Sequence, residues 1–326
     1  MARRRLGRTR LSVSELGFGG WGIGKTMWGR TEDPESLSVL RRALELGVNY
    51  FDTAYVYGHG HSERLIAQAL KDAGAKAVVA TAVPPKNMEW PARPSTGLAY
   101  AFPPDWIAAC TERSLFNLRT ERLDLQQLHV WHDNWLKDRL WPETLRTLER
   151  LKKEGKVRFW ALSANSDDPD SALKALETGL FDAVQVTLNL FDQRAAERLL
   201  PLCAERGVAV AARCPFDEGG LAGSLTLQTR FEPSDFRSHY FGGERLGETV
   251  RRAQALEQLL VGPHAPTLAQ AALKFCLSFP AVTTVIPGMR KRSHVEENAR
   301  AADGRYFDAA LLETLRAHAW VRNYYS

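Results

Sequence analysis

Residues 183–212 read AVQVTLNLFDQRAAERLLPLCAERGVAVAA, and this pattern decides the fold. Two short apolar runs, 183–186 and 208–212, flank a helical stretch at 194–206. Short apolar runs rich in valine are typical of strands that are buried on both faces, as in a parallel sheet covered by helices. The segment therefore predicts a strand, a helix and a second strand.

The same alternation extends in both directions along the 326 residues. Further strands are predicted at 15–18, 49–52, 77–81, 123–129, 158–163 and 282–286, and further helices at 34–46, 62–73, 104–118, 142–154, 170–180, 247–260, 267–278 and 293–302. Eight strands, each followed by a helix, favour a closed α/β barrel, the (β/α)8 or TIM barrel, over an open doubly wound sheet. A Rossmann fold is disfavoured because residues 18–22, FGGWG, lack the Gly-x-Gly-x-x-Gly spacing. We expect one domain over residues 1–326, with a small N-terminal β-hairpin at 3–14.

Two connections are long for such a barrel. Residues 83–104 carry six prolines, and residues 215–245 are rich in glycine and aromatic residues. Because both follow predicted strands, both should lie at the carboxyl-terminal rim, where barrel active sites form. Surface insertions would explain them, but loops of this length in compact domains are usually functional, which favours substrate walls.

Composition argues against several classes of protein. The sequence has no run of eighteen apolar residues, so we expect no membrane-spanning helix. The basic N-terminus leads into no apolar signal core, and four widely spaced cysteines predict reduced thiols in a cytoplasmic protein. The net charge of +5 is compatible with nucleic-acid binding, but the basic residues are not clustered in a groove-entering motif. A phosphate-bearing small ligand explains the charge better than a nucleic acid does.

Residues 51–58, FDTAYVYG, carry the clearest chemical signal. Asp52 ends a predicted strand, Tyr57 follows five residues later, and His129 ends another strand in LQQLH. A buried carboxylate, a phenol and an imidazole that meet at one rim can perform general acid–base chemistry on a carbonyl group. Taken singly, each has a structural explanation: an aspartate before a helix, a packed tyrosine and a core histidine.

Together and in this order, these residues resemble the aldo-keto reductases. Matching stretches continue through 154–158 (EGKVR), 163–165 (SAN), Gln185 with Asn189, 215–223, 285–288 (VIPG) and 296–298 (EEN), so that the resemblance spans essentially the whole chain. It implies an oxidoreductase that uses NADP(H) and acts on a small carbonyl or alcohol substrate. It also implies a tetrad of Asp52, Tyr57, His129 and a lysine on the third strand. In that tetrad the tyrosine gives the proton, the lysine lowers the pKa of the tyrosine, and the histidine positions the carbonyl.

Ala82 stands at the position of that lysine. The ordinary pKa of tyrosine, about 10, is poorly matched to neutral pH without a nearby cation. Leaving one partner of a buried ion pair alone typically costs about 3–5 kcal/mol, so Asp52 should take up a proton, recruit water or find another cation. Lys86 follows the stiff Pro84-Pro85 pair, which should carry it roughly 10 Å or more past the strand end, and we do not expect it to substitute. We therefore expect slow carbonyl reduction or none; either an engineered substitution or a natural non-reductase would explain Ala82.

The resemblance implies a nicotinamide site at the barrel mouth. Ser163, Asn165 and Gln185 would hold the carboxamide, although Ala164 separates two residues that are adjacent in the family. Arg213 replaces the aromatic residue expected to stack on the ring; its planar guanidinium could stack, but its charge opposes an oxidised ring. Trp21 and Gly22 are further candidates for cofactor binding.

Two segments match the phosphate-binding parts of the family. One is the loop that covers the pyrophosphate, in which backbone amides would bind the anion; its candidates are Pro215, Phe216, Gly219, Gly220 and Leu221. The other, residues 288–294 (GMRKRSH), offers three cations before a helix, which suits a 2′-phosphate and so NADP over NAD. An ordinary basic turn is the alternative. The candidates here are Gly288, Arg290, Lys291, Arg292 and His294, with Glu297 and Asn298 at the adenine.

Aromatic residues near the rim are candidates for the substrate pocket: Trp28, Tyr55, Trp90 and Trp131, with His132 beside them. Core packing would explain some of them equally well. The histidines lack convergent ligands, so no metal site is expected. The alternative function is a non-catalytic NADP(H)-binding module, which the missing lysine favours and the retained Tyr57 and His129 oppose. A lyase or isomerase rests on fold analogy alone.

Overall fold

The computed structural model describes residues 1–25, 28–29 and 31–321, so a few residues of the predicted domain (26–27, 30 and 322–326) lie outside the described part. An antiparallel hairpin, β1 (Arg3–Arg5) and β2 (Ser12–Ser14), comes first, as predicted. Eight parallel strands then form one sheet in chain order: β3 (Phe18–Gly19), β4 (Tyr50–Asp52), β5 (Val78–Val83), β6 (Leu123–Trp131), β7 (Val157–Ala164), β8 (Ala183–Thr187), β9 (Ala209–Arg213) and β10 (Val282–Val285). All eight predicted strands are thus present.

The sheet curls until its two edges meet. Parallel bridges join Leu16 to Val285 and Gly19 to Gly288, so the segment of β3 lies beside that of β10. The backbone N–H of Gly17 donates to Val285 O across 2.8 Å, and the N–H of Val285 donates to Glu15 O across 2.8 Å. These bonds give the sheet the architecture of a (β/α)8 barrel.

Helices connect the strands and cover much of the outer face of the sheet, while two short ones, at 98–101 and 236–240, lie within the long loops. The helices are α1 (Asp33–Glu45), α2 (His61–Asp72), α3 (Leu98–Ala101), α4 (Pro104–Leu118), α5 (Trp141–Lys153), α6 (Leu173–Glu177), α7 (Leu199–Arg206), α8 (Phe236–Tyr240), α9 (Arg245–Leu260), α10 (Leu268–Leu277), α11 (Arg292–Ala299) and α12 (Ala309–Arg316). The predicted helices at 170–180 and 194–206 are shorter in the structure, because 3₁₀ turns at Pro169–Ala172 and Arg194–Ala196 occupy their first residues. Helices α3, α8 and α12 were not predicted. No helix within the described ranges is long and apolar enough to cross a membrane.

The hairpin packs across the amino-terminal ends of the strands. Arg4 donates to the carbonyls of Leu277 and Val282 at 2.8 and 2.6 Å, and Arg8 donates to Asp182 at 3.0 Å, directly before β8. The long loops 84–103 and 214–244 follow the carboxyl ends of β5 and β9 and lie at the opposite end. The predicted position of both loops at the carboxyl-terminal rim is therefore confirmed.

Alternation along the strands selects the rim residues. Side chains two apart in a strand share a face, and the interior of the sheet is filled by an apolar layer that includes Tyr50, Ala80, Leu125, Ala161 and Ala183. The residues two positions later therefore form the next interior layer, nearer the rim. That layer includes Asp52, Ala82, Gln127, Ser163 and Gln185. On β9, Ala211 pairs with Gln185, and Arg213 lies two positions nearer the rim, opposite Thr187.

Candidate active site

Asp52 lies at the end of β4 and is only 4% exposed. Its Oδ2 accepts hydrogen bonds from the side-chain amides of Gln127, at 2.9 Å, and Gln185, at 2.7 Å. Burial raises the pKa of Asp52 to about 7, although both amide bonds and the charge of Arg213 act in the opposite direction. The carboxyl group therefore keeps its proton to a much higher pH than an exposed aspartic acid does.

Ala82 and Gln127 are directly paired between β5 and β6. Gln127 is 2% exposed, and its amide reaches Asp52 from the strand position beside the alanine. Sequence reasoning missed Gln127, because its relation to Ala82 depends on the register of the two strands. The resemblance places a lysine on β5, but in this chain the group that contacts the carboxylate is an amide on the neighbouring strand β6.

Tyr57 and His129 meet edge to face, with their ring centroids 6.0 Å apart. Each ring also has an indole against it: Trp21 stacks on Tyr57 at 6.2 Å, and Trp90 lies edge-on to His129 at 5.8 Å. Gly24 holds the Tyr57 loop close, since a Cβ at Gly24 would lie 2.9 Å from the carbonyl carbon of Tyr57. The structure therefore brings the predicted phenol and imidazole together at the rim.

Desolvation dominates the proton affinities of both rings. Burial, followed by the nearby Asp52 carboxylate, raises the pKa of Tyr57 well above its usual value. Burial, followed by the charge of Arg213, lowers the pKa of His129 to about 3. At neutral pH the tyrosine is a protonated phenol and the histidine a neutral imidazole, whose Nδ1 has no hydrogen-bond partner among the described residues.

Arg213 is held by the end of β7. Its guanidinium donates to Ala164 O at 2.7 Å and to Ser166 Oγ at 3.0 Å. Its positive charge lowers the pKa of Asp52, Tyr57 and His129. The rim therefore contains a cation, although this cation is not at position 82. Ser166, which is 2% exposed, was missed because serine alone gives no signal in a sequence.

The side-chain amide of Asn165, which was predicted to bind the nicotinamide, is bonded to the protein backbone in this structure. Its Oδ1 accepts from the backbone N–H of Ala92 at 2.9 Å, and its Nδ2 donates to the carbonyl of Ala92 at 3.2 Å. Both ends of the amide are therefore engaged with the loop after β5. By contrast, Ser163 Oγ is buried and has no partner among the described residues, as a group awaiting a ligand would be.

The amides of the 215–221 loop are donors within the loop itself. The N–H groups of Gly219 and Leu221 donate to Phe216 O, each at 2.9 Å, and that of Gly220 donates to Asp217 O at 3.0 Å. Leu221 is fully buried. The prediction that these three amides bind a pyrophosphate remains a prediction, and it requires the turn to open or the bonds to be shared. Pro215 is buried and Phe216 is partly buried.

The basic run lies at the start of α11. Lys291 and Arg292 are exposed there, as are Gly288 and His294. Arg290 differs, because it is partly buried and donates to the backbone carbonyl of Trp28. The exposed members thus present cations at a helix N-terminus, as predicted.

Other predicted cofactor residues surround this run. Gly22 lies against Arg290, since a Cβ at Gly22 would lie 3.2 Å from the arginine side chain. Glu297 accepts from Thr267 Oγ1 at 2.8 Å, and Asn298 is 3% exposed.

The predicted substrate residues divide into two groups. Trp90 lies against His129, and Trp28 contacts Trp21, with ring centroids 5.4 Å apart; Trp21 in turn stacks on Tyr57. Trp131, in contrast, is fully buried among Trp135, Trp141 and Phe181, and its assignment to the pocket was wrong. A large indole buries much apolar area, and here that area packs in the core and not in the substrate pocket.

Tyr55 and His132 also have structural partners. The ring of Tyr55 lies 5.4 Å beneath the guanidinium of Arg113 on α4. His132 Nδ1 accepts from the N–H of Asn134 and caps a 3₁₀ turn. These contacts place Tyr55 against an outer helix and make His132 a capping residue.

Lys86 and the histidine pair lie away from the site. Lys86 is half-exposed and pairs with Asp105 at 3.7 Å, in agreement with the expectation that it does not replace a lysine at position 82. His61 bonds Asp33 at 2.9 Å. No group of three metal-ligating side chains occurs within the described part of the chain.

Sequence comparison finds a family and several relatives. The model described as the Aldo/keto reductase family matches residues 15–319. An uncharacterized oxidoreductase of Bacillus subtilis, YqkF, is 30% identical over 322 residues, which cover 98% of this chain and 96% of the relative. The NADH-specific methylglyoxal reductase of Escherichia coli is 28% identical, covering 93% and 94%. A probable voltage-gated potassium channel subunit beta of Arabidopsis thaliana is 27% identical, covering 93% and 92%.

Solved structures share the fold. Glycerol dehydrogenase AKR11B4 from Gluconobacter oxydans superimposes with a TM-score of 0.78 at 26% identity, covering 97% of this chain and 94% of that one. The holo form of aldo-keto reductase AKR11C1 from Bacillus halodurans gives 0.76 at 26% identity, covering 99% and 98%. An aldo/keto reductase from Klebsiella pneumoniae in complex with NADP and acetate matches the fold at 24% identity and a TM-score of 0.67, covering 98% and 96%.

Proposed function

This chain belongs to the aldo/keto reductase family, and on that basis we propose that it is an NADP(H)-dependent oxidoreductase that transfers a hydride between the nicotinamide and a carbonyl or alcohol substrate. One observation carries the proposal: the rings of Tyr57 and His129 lie with their centroids 6.0 Å apart at the rim, near the Asp52 carboxyl group. We also propose a cytoplasmic location, which the four free cysteines support.

The residues present fit a dinucleotide in two places. Ser163 offers a buried hydroxyl without a partner among the described residues, which suits the nicotinamide carboxamide. Lys291 and Arg292 offer exposed cations at the N-terminus of α11, where the helix dipole also favours an anion. The relative from Escherichia coli is named NADH-specific, so similarity to the family does not by itself decide between NADP and NAD. In this chain the basic run at 290–292 favours NADP.

The chain's own residues control the proton. When bound, the reduced cofactor supplies the hydride. Tyr57 is a protonated phenol at neutral pH and donates its proton to the carbonyl oxygen. His129 is neutral, since its pKa is about 3, and its imidazole orients the carbonyl without adding charge.

The same environment limits the rate. A general acid works best when its pKa lies near the working pH, and both burial and Asp52 move Tyr57 away from it. With Ala82 on β5 and amides on Asp52, no ammonium group acts on Tyr57 from position 82. We therefore propose slow reduction, and still slower oxidation of an alcohol, which would need the tyrosinate.

A non-catalytic NADP(H)-binding module is the second candidate. It is supported by the amides that take the place of a cation on Asp52. One relative is also named as a probable voltage-gated potassium channel subunit beta and not as a reductase. Tyr57 and His129, both retained at the rim, favour the enzyme.

Cofactor titration and a carbonyl panel separate the two functions. Quenching of tryptophan fluorescence would measure binding of NADPH and NADH, and loss of NADPH absorbance would measure turnover with aldehydes and ketones. We expect tighter binding of NADPH and a slow turnover that Tyr57→Phe abolishes, since that variant loses only the hydroxyl. If the parent and Tyr57→Phe both bind the cofactor and oxidise NADPH at the same background rate, the binding module is favoured. If the parent binds neither nucleotide, both proposed functions are rejected.

A further inference from the structure

The loop after β5 is fastened to neighbouring elements near its two ends. Trp106 Nε1 donates to Pro84 O at 2.8 Å where the loop leaves the strand. At its far end, Trp135 Nε1 donates to Thr96 O at 2.6 Å, and Asp138 accepts from the N–H of Leu98 at 2.9 Å. Both ends are therefore held independently of the middle.

Asn165 fastens the middle of this loop. Its amide makes two buried hydrogen bonds with the backbone of Ala92, one as acceptor at 2.9 Å and one as donor at 3.2 Å. Asn165 is 2% exposed, and its own N–H donates to Ser171 Oγ at 3.0 Å. Moving Ala92 would leave both ends of a buried amide unpaired, which is costly. The position of Ala92 is thus tied to the end of β7.

Trp90 lies two residues before this attachment. Its indole is edge-on to His129, with centroids 5.8 Å apart. Aromatic rings favour edge-to-face and offset contacts with one another. An indole fixed beside His129 offers such a contact to an aromatic substrate whose carbonyl group is oriented by His129.

We propose that Asn165 is a positioning residue for substrate selectivity: by holding Ala92, it fixes Trp90 as a wall that favours aromatic aldehydes over small aliphatic ones. This inference rests on the proposed function, since it assumes that the substrate carbonyl reaches Tyr57 and His129. Asn165 acts here through Trp90 and touches no reacting atom.

Fluorine NMR tests the positioning directly. Protein labelled with 5-fluorotryptophan gives one resonance per indole, and Trp90→Phe assigns that of Trp90. We expect Asn165→Ala to shift or broaden the Trp90 resonance. The matched control is Asp138→Ala, which releases the far end of the same loop and should leave that resonance in place. An unmoved Trp90 resonance in Asn165→Ala overturns the proposal.

Binding to the NADP⁺-saturated protein, where no turnover occurs, tests selectivity. Benzaldehyde and propionaldehyde would be titrated against the fluorine resonances. We expect Asn165→Ala to weaken benzaldehyde binding about three- to tenfold and leave propionaldehyde nearly unchanged. Trp90→Ala should do the same, and the double variant should equal Trp90→Ala alone, because residues that act through one another are not additive. Additive losses would overturn the proposal.

Two further outcomes are distinguishable. If Asn165→Ala weakens NADPH binding while the Trp90 resonance stays unchanged, Asn165 holds the cofactor and the proposal is wrong. If the parent protein binds no dinucleotide, the proposed function fails and so does the selectivity inference. The fluorine spectrum would then report only whether Asn165 holds the loop.

Discussion

The side-chain amide of Gln127 donates to Asp52 Oδ2 across 2.9 Å, from the strand position that pairs with Ala82. Gln185 donates to the same oxygen at 2.7 Å. Amides solvate a carboxylate, but they bring no compensating charge, so the cost of burying the anion is only partly offset. The pKa of Asp52 accordingly rises to about 7.

Folding stability should depend on the ionisation of Asp52. Its pKa is about 7 in the folded chain and about 3.9 in an unfolded one, so between these values only the folded state holds the proton. The contribution of Asp52 to the free energy of unfolding is therefore fully present below the unfolded pKa and is lost as pH rises towards 7. The loss is on the order of 4 kcal/mol at most.

Urea unfolding of the parent and of Asp52→Asn, followed from about pH 5 to about pH 8, measures this dependence. Asparagine keeps an oxygen that can accept from Gln127 and Gln185 but does not titrate. We expect the stability of the parent to fall more steeply with pH than that of the variant. Parallel curves would contradict the raised pKa.

A cation restored at position 82 should speed carbonyl reduction. In Ala82→Lys, an ammonium group in the layer of Asp52 would lower the pKa of Asp52 and of Tyr57. We expect turnover to rise by about 10²-fold, the range that a well-matched general acid contributes. The measurement is NADPH oxidation with a carbonyl panel. Ala82→Met, which is similar in length and uncharged, is the control, and an equal rate in both variants would show that charge is not the missing element.

The fold could be predicted from sequence because its signals are local. Each buried strand is a short apolar run, and all eight of these runs were recognised. The missed elements were short or lay inside loops, such as α3 and α8. Helix α12 left a usable signal, since Asp308 caps it by accepting from the N–H of Leu311 at 2.9 Å.

The site was only partly predictable because several roles depend on contacts across the chain. Gln127 acts on Asp52 over 75 positions of sequence, and Asn165 binds Ala92 over 73. No local pattern marks such pairs, because strand register and loop path decide them. Trp131 shows the converse: an aromatic residue at a strand end is equally suited to a pocket and to a core, and burial assigns it to the core.

The exposed cations of α11 should determine the choice of cofactor. Lys291→Ala with Arg292→Ala should raise the Kd for NADPH by about tenfold and leave that for NADH unchanged, because only NADPH carries the 2′-phosphate. Fluorescence titration measures both constants. Arg300→Ala removes an exposed cation from the other end of the same helix and should change neither. Equal weakening of both nucleotides would mean that the run acts on the shared pyrophosphate instead.

Ser163 should affect ligand binding without stabilising the fold. Its hydroxyl is buried without a partner among the described residues, and an unpaired buried polar group costs about 1–3 kcal/mol. Removing it in Ser163→Ala should therefore preserve or raise the Tm, while NADP(H) binding weakens by about three- to tenfold through the lost hydrogen bond. Ser166→Ala is the matched control, since Ser166 Oγ accepts from Arg213 at 3.0 Å and this variant should lower the Tm. Calorimetry and cofactor titration on the two variants measure the contrast. A Tm lowered as much in Ser163→Ala as in Ser166→Ala would mean that the Ser163 hydroxyl has a structural partner, and unchanged NADP(H) affinity would remove it from the cofactor site.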